Sequence, residues 1–241
     1  MKKKKVHNKD GKILQDVKSF DYSRALDGAS DFLQYLIRQQ EVLAKVALKL
    51  ASSSFSFEEK MNYTMQKIGE HTDVSRVYIF EDFKHKTHTK NTYEWVAKGV
   101  EPQIKKLKDI KYKDIPSFLK LLKTDGDFVV DDVKKLPTDL QEIFIPQNIK
   151  AIIIFPLKIQ GKKFGFIGFD EDRRSRNWNK IEVDLIRIMS FLIASAFEQK
   201  HNHDKLKTQV ERSEKMNKFL VNRELRITDL KKKLKRLTNK K

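Results

Sequence analysis

Asp170 and Glu171 close the apolar run from Phe164 to Phe169, a position from which two carboxylates could orient a polar ligand. They could equally open a solvated loop with Asp172, Arg173 and Arg174, and the density of charge there favours the loop. Glu94 stands between Tyr93 and Trp95 on a β-type run, so it should face away from both. Carboxylates do acid–base catalysis when two converge and their pKa values are driven apart; nothing in the spacing here suggests such a pair. His85 and His88 are three apart in a polar turn, and His201 and His203 are two apart on a helix. Two ligands on one helix face need a spacing of three or four, and no histidine or carboxylate partner is evident. The glycines at 161, 165 and 168 sit in or beside a hairpin, where they serve turns, bulges and close packing rather than phosphate binding. Cysteine is absent, which excludes disulfides, thiolate metal sites and cysteine nucleophiles. No enzyme activity, metal or cofactor is therefore expected.

Function must instead be argued from the elements that would position such residues. The sequence from Ile149 to Glu171 reads as two β-type runs joined across Gln160–Lys163, an antiparallel hairpin. Arg76–Glu81 and Thr89–Val96 form a second hairpin around a polar turn. Before it, Phe32, Leu36, Leu43, Val46, Ala47 and Leu50 recur at helical spacing from Asp31 onward. Ser52–Ser54 ends that helix. Ser56 with Glu59 three residues later is a capping box, so another helix starts near Phe57 and buries Met61, Met65 and Ile68. Pro116 opens a short helix, 127–130 reads as an edge strand, and 137–144 as another short helix. A long helix follows Trp178, with Ile181, Leu185, Ile188, Leu192 and Ala196 as its buried face. Toward its end Met216, Leu220, Ile227, Leu230, Leu234 and Leu237 follow four-three steps, broken at Arg223, which is a coiled-coil seam.

Composition sets the bounds. With 39% apolar and 35% charged residues in 241, the chain can bury one core of ordinary size and leaves a heavily solvated remainder. The net charge of +18 gathers partly at the ends, in Lys2–Lys5 and in Lys231, Lys232, Lys233, Lys235, Arg236, Lys240 and Lys241. Terminal, lysine-rich clusters are solvated tails more often than base-reading surfaces, so nucleic-acid binding is not expected. No apolar run approaches the ~20 residues that span a bilayer. The charged start lacks the apolar segment of a secretory signal. A cytoplasmic location is the expectation.

The order of elements and four local stretches resemble a GAF domain of the kind associated with sensor histidine kinases. The stretches are Val74–Glu81, Asn91–Val96, Ile152–Leu157 and Phe164–Glu171, with Trp178 before the final helix. Val221–Leu225 and the helix after it look like the linkers that join such sensors to output domains. The resemblance implies an α+β fold: a central antiparallel sheet, terminal helices on one face, and a small-molecule pocket enclosed by the other face and the short helices. Members bind cyclic nucleotides, bilins, haem or small metabolites. Thioether-held bilins and the GAF-type methionine sulfoxide reductases need cysteine, which this chain lacks. Phe169-Asp170-Glu171 echoes only the end of the cyclic-nucleotide signature.

In that fold the candidate pocket residues are Tyr78, Phe80, Tyr93, Trp95, Phe118, Phe128, Ile152 and Ile154, since aromatic side chains pair an apolar face with a polar tip. Leu220, Ile227, Leu230, Leu234 and Leu237 are the candidate dimer and signalling seam. The expected organisation is a basic flexible tail over 1–29, a GAF-like sensory domain over 30–200 and a coiled-coil signalling helix over 201–241. The expected function is a homodimeric small-molecule sensor that signals through its C-terminal helix to an output partner such as a kinase or cyclase. The alternatives are a ligand-free dimerisation module and a nucleic-acid-associated protein acting through basic tails.

Overall fold

A computed structural model describes residues 22–123 and 127–238 of the chain. The tail expected over 1–29 thus lies mostly outside the described residues, as do its Lys2–Lys5 cluster and Lys240 and Lys241. Helix α1 (Tyr22–Ala51) begins ahead of the periodic pattern that starts at Asp31. Helix α2 (Phe57–Thr72) starts where its capping box places it. The Ser56 hydroxyl accepts from the Glu59 N–H at 3.3 Å, and the Glu59 carboxylate accepts from the Ser56 N–H at 2.8 Å. Two terminal donors are satisfied reciprocally in this way.

Six strands follow: β1 (Arg76–Phe83), β2 (His88–Val96), β3 (Ile110–Lys111), β4 (Phe128–Val130), β5 (Ala151–Ile159) and β6 (Lys162–Glu171). They form one antiparallel sheet in the order β3-β2-β1-β6-β5-β4. Both expected hairpins are present, and the 128–130 segment is an edge strand. The two-residue strand β3 was too short to show a period. The β5–β6 turn is the pair Gln160-Gly161, at φ 49° and 74°. Two positive φ values in succession give a turn whose twist matches that of the strands it joins.

Between β3 and β5 lie α3 (Pro116–Lys123) and α4 (Thr138–Phe144), which cover one face of the sheet. The other face carries α1, α2 and the start of α5 (Lys180–Thr238). Burial on both faces explains why Ile152–Phe155 reads as a continuous apolar run rather than an alternating one. Ile153 and Phe155 go to the helices, and Ile152 and Ile154 to the opposite layer.

The helix-side core holds Met61, Met65 and Ile68 of α2, as expected, against Val77, Ile79, Ile167 and Phe169 of the sheet. Gly69 is required here: a Cβ on it would lie 2.0 Å from the Trp95 ring, so α2 rests directly on that indole. The buried stripe of α5 differs from the expected one. Leu185 and Ala196 are buried, but Ile181 and Ile188 are exposed, and the rest of the contact comes from Ile186, Met189, Ile193 and Phe197. The sequence of α5 carries apolar residues on two helical faces, and the sheet accepts only one. The same holds for α1, where Val46 and Leu50 are buried while Phe32 and Ala47 are exposed. Beyond Glu198 every described side chain of α5 is exposed through Lys232.

Candidate functional site

The site is built on the sheet face opposite α1, α2 and α5. Arg76, Tyr78 and Phe80 alternate along β1 and point to this face. On β6 Asp170 lies directly across from Arg76, and Gly168 across from Tyr78. A Cβ on Gly168 would meet the Tyr78 ring at 2.2 Å, so the glycine is what lets the ring lie flat across β6. Its hydroxyl then donates to Asp170 Oδ1 at 2.9 Å.

β2 contributes through an irregularity. Tyr93 pairs with Ile79 but Asn91 pairs with Phe80, so Thr92 is an extra residue in the strand. A bulge of this kind reverses the alternation of side chains beyond it. Glu94 and Asn91, three apart, consequently share the same face as Tyr78 and Phe80. Together with Phe166, Phe118 of α3, Phe144 of α4 and Gln103 these residues enclose a cavity of about 70 Å³. Phe80 and Phe166 stack at 4.8 Å, and Phe118 meets Phe166 edge-on at 5.2 Å.

One end of the cavity is charged, and its charges are buried. Arg76 and Asp170 are each 2% exposed, with Nε and Oδ2 3.3 Å apart. Arg76 also donates from Nη2 to the Gln147 carbonyl at 3.0 Å. Burial pushes the Asp170 carboxyl up to about 7, against the opposing pull of Arg76 and the Tyr78 hydrogen bond. Burial likewise raises Glu94, although its carboxylate accepts the backbone N–H groups of Gln103 and Ile104 at 2.8 and 2.9 Å. Burial and the adjacent Asp170 hold the Tyr78 hydroxyl well above its ordinary range.

The loop reading of Asp170 and Glu171 is corrected by this arrangement. Strand β6 continues through Glu171, and both carboxylates are buried. The desolvation of Asp170 is met by Arg76 and Tyr78, distant in sequence, which local charge density does not reveal, whereas Glu171 is met by an arginine two residues on. Glu171 accepts from Arg173 Nε and Nη2 at 2.8 and 2.7 Å. Burial acts to raise its pKa, but these hydrogen bonds prevail and lower it.

Of the candidate residues, Tyr78, Phe80 and Phe118 border the cavity. Ile152 and Ile154 are fully buried in the layer beside it, and Phe128 is half-buried on the edge strand across from Ile154. Tyr93 and Trp95 are placed elsewhere: they face the helices, Tyr93 against Phe57 and Phe197 and Trp95 against Gly69. Their shared face was legible, but which layer it met was not. Leu220, Ile227 and Leu230 are exposed on α5. Leu234 and Leu237 lie on its last turns, and their side chains fall outside the described residues. Among the described residues no cluster of three or more His, Asp or Glu side chains could hold a metal. Arg76, Asn91 and Gln103 were not singled out from sequence. An arginine at the head of an apolar strand, with an aspartate ending the neighbouring one, was the available signal for the ion pair.

The turn from β6 into α5 is held by arginines. Arg176 Nη2 donates to the Thr72 carbonyl at 2.7 Å and to Glu182 Oε1 at 2.8 Å, and its guanidinium lies 4.5 Å from the Trp178 ring centre. Trp178 Nε1 donates to the Val130 carbonyl at 3.2 Å. These contacts tie the start of α5 to α2, β4 and the end of β6.

The described helices include none long and apolar enough to cross a membrane. Comparison with known proteins matches residues 56–197 to the GAF domain family. Over 170 residues, 65% of this chain, the sequence is 31% identical to the methanogenesis regulatory histidine kinase FilI of Methanothrix harundinacea (strain 6Ac). The match spans 19% of that kinase's length. Among solved structures, the phycocyanobilin-bound GAF domain of a cyanobacterial phytochrome superposes with a TM-score of 0.60 at 16% identity, covering 68% of this chain and 96% of that one. The GAF domain of an Acinetobacter phosphoenolpyruvate-protein phosphotransferase gives 0.54 at 10% identity, covering 68% and 95%. At such identities the likeness is one of fold. Sheet order, the two layers and the family match agree: this chain belongs to the GAF domain family.

Proposed function

We propose that this GAF domain is a homodimeric small-molecule sensor that signals through α5 to an output module such as a histidine kinase. The observation that carries the reading is the continuity of β6. This strand supplies Asp170 to the cavity wall and runs within ten residues into α5 through the Arg173 and Arg176 contacts. A ligand that moves or neutralises Asp170 thereby acts on the strand that anchors the helix. Coupling of this kind requires only that the ligand favour one of two arrangements of that junction. A cavity of about 70 Å³ has room for roughly five to seven waters, which suits a compact metabolite and not a four-ring pigment. Similarity to a regulatory histidine kinase supports the choice of output.

The exposed apolar residues of α5 support the dimer. Ile188, Leu206, Met216, Leu220, Ile227 and Leu230 are 40–60% exposed and lie close to one seam. Each such side chain removed from water contributes ~1.5–3 kcal/mol at full burial, enough for a self-pairing surface when several act together. Native mass spectrometry of the purified chain tests both parts. A dimer carrying a small organic molecule supports the sensor, whereas a monomer with an empty interior overturns it. Leu220→Asp with Leu230→Asp is expected to halve the mass in solution; an unchanged mass would show that the seam does not join the subunits.

A further inference from the structure

The hydrogen-bonding capacity of the cavity wall is not fully used. Asn91 is 5% exposed, and its backbone N–H donates to the Leu107 carbonyl at 2.8 Å. Its Nδ2 lies 3.4 Å from Glu94 Oε1. This neighbour fixes the orientation of the amide, because the reverse one would set Oδ1 against a carboxylate oxygen. Oδ1 is then a buried acceptor with no donor among the described residues, on the wall of the cavity. Buried carbonyl oxygens are ordinarily satisfied, and leaving one without a donor is costly.

The charges around it restrict what can fill that vacancy of bonding. Arg76 is the cation on the wall; it is ion-paired with Asp170 Oδ2 and donates from Nη2 to the Gln147 carbonyl, while its buried Nε makes no hydrogen bond among the described residues. Glu94 and Asp170 are two acids facing it, and burial makes a charge on either one expensive. An entering carboxylate or phosphate would bring a further acidic group beside these two, on a wall with a single cation already ion-paired. Apart from Thr89, Gln103 and Gln147, the rest of the lining is mainly aromatic and aliphatic, with Phe80, Phe118, Phe144, Phe166 and Ile149 among it. Such a lining rewards an apolar body, and one well-placed polar group fixes its orientation.

We propose that the cavity takes a compact, uncharged ligand with an apolar ring or chain and an N–H group donating to Asn91 Oδ1, of the primary-amide or N–H heterocycle class, and that it refuses carboxylates and phosphates. The proposal rests on reading this cavity as the ligand site. Five to seven water positions correspond to roughly 150–200 Å³ of liquid, about the size of a single substituted ring.

Three probes of matched shape test it: benzamide, benzoate and toluene, titrated into the full chain with NMR shifts of Tyr78, Phe80 and Phe118 as the readout. Benzamide is expected to bind about tenfold more tightly than either of the others, and Asn91→Ala to erase its advantage over toluene. This ranking on the unaltered protein stands even if the variant folds poorly. Benzoate binding as well as benzamide, or benzamide and toluene binding equally with Asn91→Ala without effect, overturns the ligand class and leaves the cavity as a ligand site. If none of the three moves those resonances, both readings fall.

Discussion

On the helix side of the sheet, Met61, Met65, Ile68, Phe169, Ile186 and Met189 fill the space without a polar group of their own. On the opposite side the same strands carry Arg76, Asp170, Glu94 and Asn91 around a cavity. The two layers share the four long strands β1, β2, β5 and β6, so the difference lies in side chains one residue apart. One layer supplies stability through close packing, and the other spends part of that stability on buried charge. The candidate ligand cavity and the close-packed core thereby lie on opposite faces of one sheet.

Truncation is the most direct way to break this division. Phe169→Ala, in the helix-side layer, is expected to lower stability by about 3–5 kcal/mol. Phe118→Ala, which borders existing open space, should cost about 1–2 kcal/mol less, because it has fewer packed neighbours to lose. Urea unfolding of both variants measures the gap, and equal losses would mean that the layers are packed alike.

The ion pair supplies the next test. Arg76→Met strands Asp170 in a buried site and is expected to cost about 3 kcal/mol at pH 8. Adding Asp170→Leu should recover part of that loss, since it removes the orphaned charge; a double variant no more stable than the single would show that the stranded carboxylate is not the cause of the loss. The same carboxyl sets a pH dependence. Its pKa is raised to about 7 in the folded chain from ~3.9 when unfolded. Protonation therefore favours the folded state: the contribution is complete below about pH 4 and is lost as pH rises toward 7. The urea midpoint of the wild type should fall more between pH 4.5 and 7.5 than that of Asp170→Asn. Parallel curves would remove Asp170 as the cause.

The smallest effect sharpens the boundary of the dry layer on α5. Ile186→Ala is expected to cost about 2–3 kcal/mol, and Ile188→Ala to stay within about 0.5 kcal/mol of the wild type in the monomer. Thermal unfolding at low protein concentration separates them.

Much of the fold was legible because its signals are local. Ser56 and Glu59 announce α2 by satisfying each other's backbone, and the runs 76–81, 149–159 and 164–171 carry enough β-branched and aromatic residues to be strands. The site was less legible because its geometry depends on long-range events. Thr92 adds one residue to β2 and moves Asn91 onto the cavity face, and no local pattern marks that bulge. Asp170 looked solvated because Asp172, Arg173 and Arg174 follow it, whereas its own partner, Arg76, is 94 positions earlier. Trp95 and Tyr93 could be assigned to a common face from their spacing, but the choice of layer was made by α2, which lays Gly69 on the indole.

Helix α5 runs unbroken from Lys180 to Thr238, so its angular phase is set once, where Ile186 and Met189 dock on the sheet, and inherited by everything downstream. At 3.6 residues per turn, one residue inserted after Glu198 would swing Leu220 and Leu230 by about 100° about the helix axis, while seven would return them to within about 20°. If α5 drives an output module as proposed, its length acts as a timing element, like the tooth count between two gears: the module must be matched to it in whole heptads.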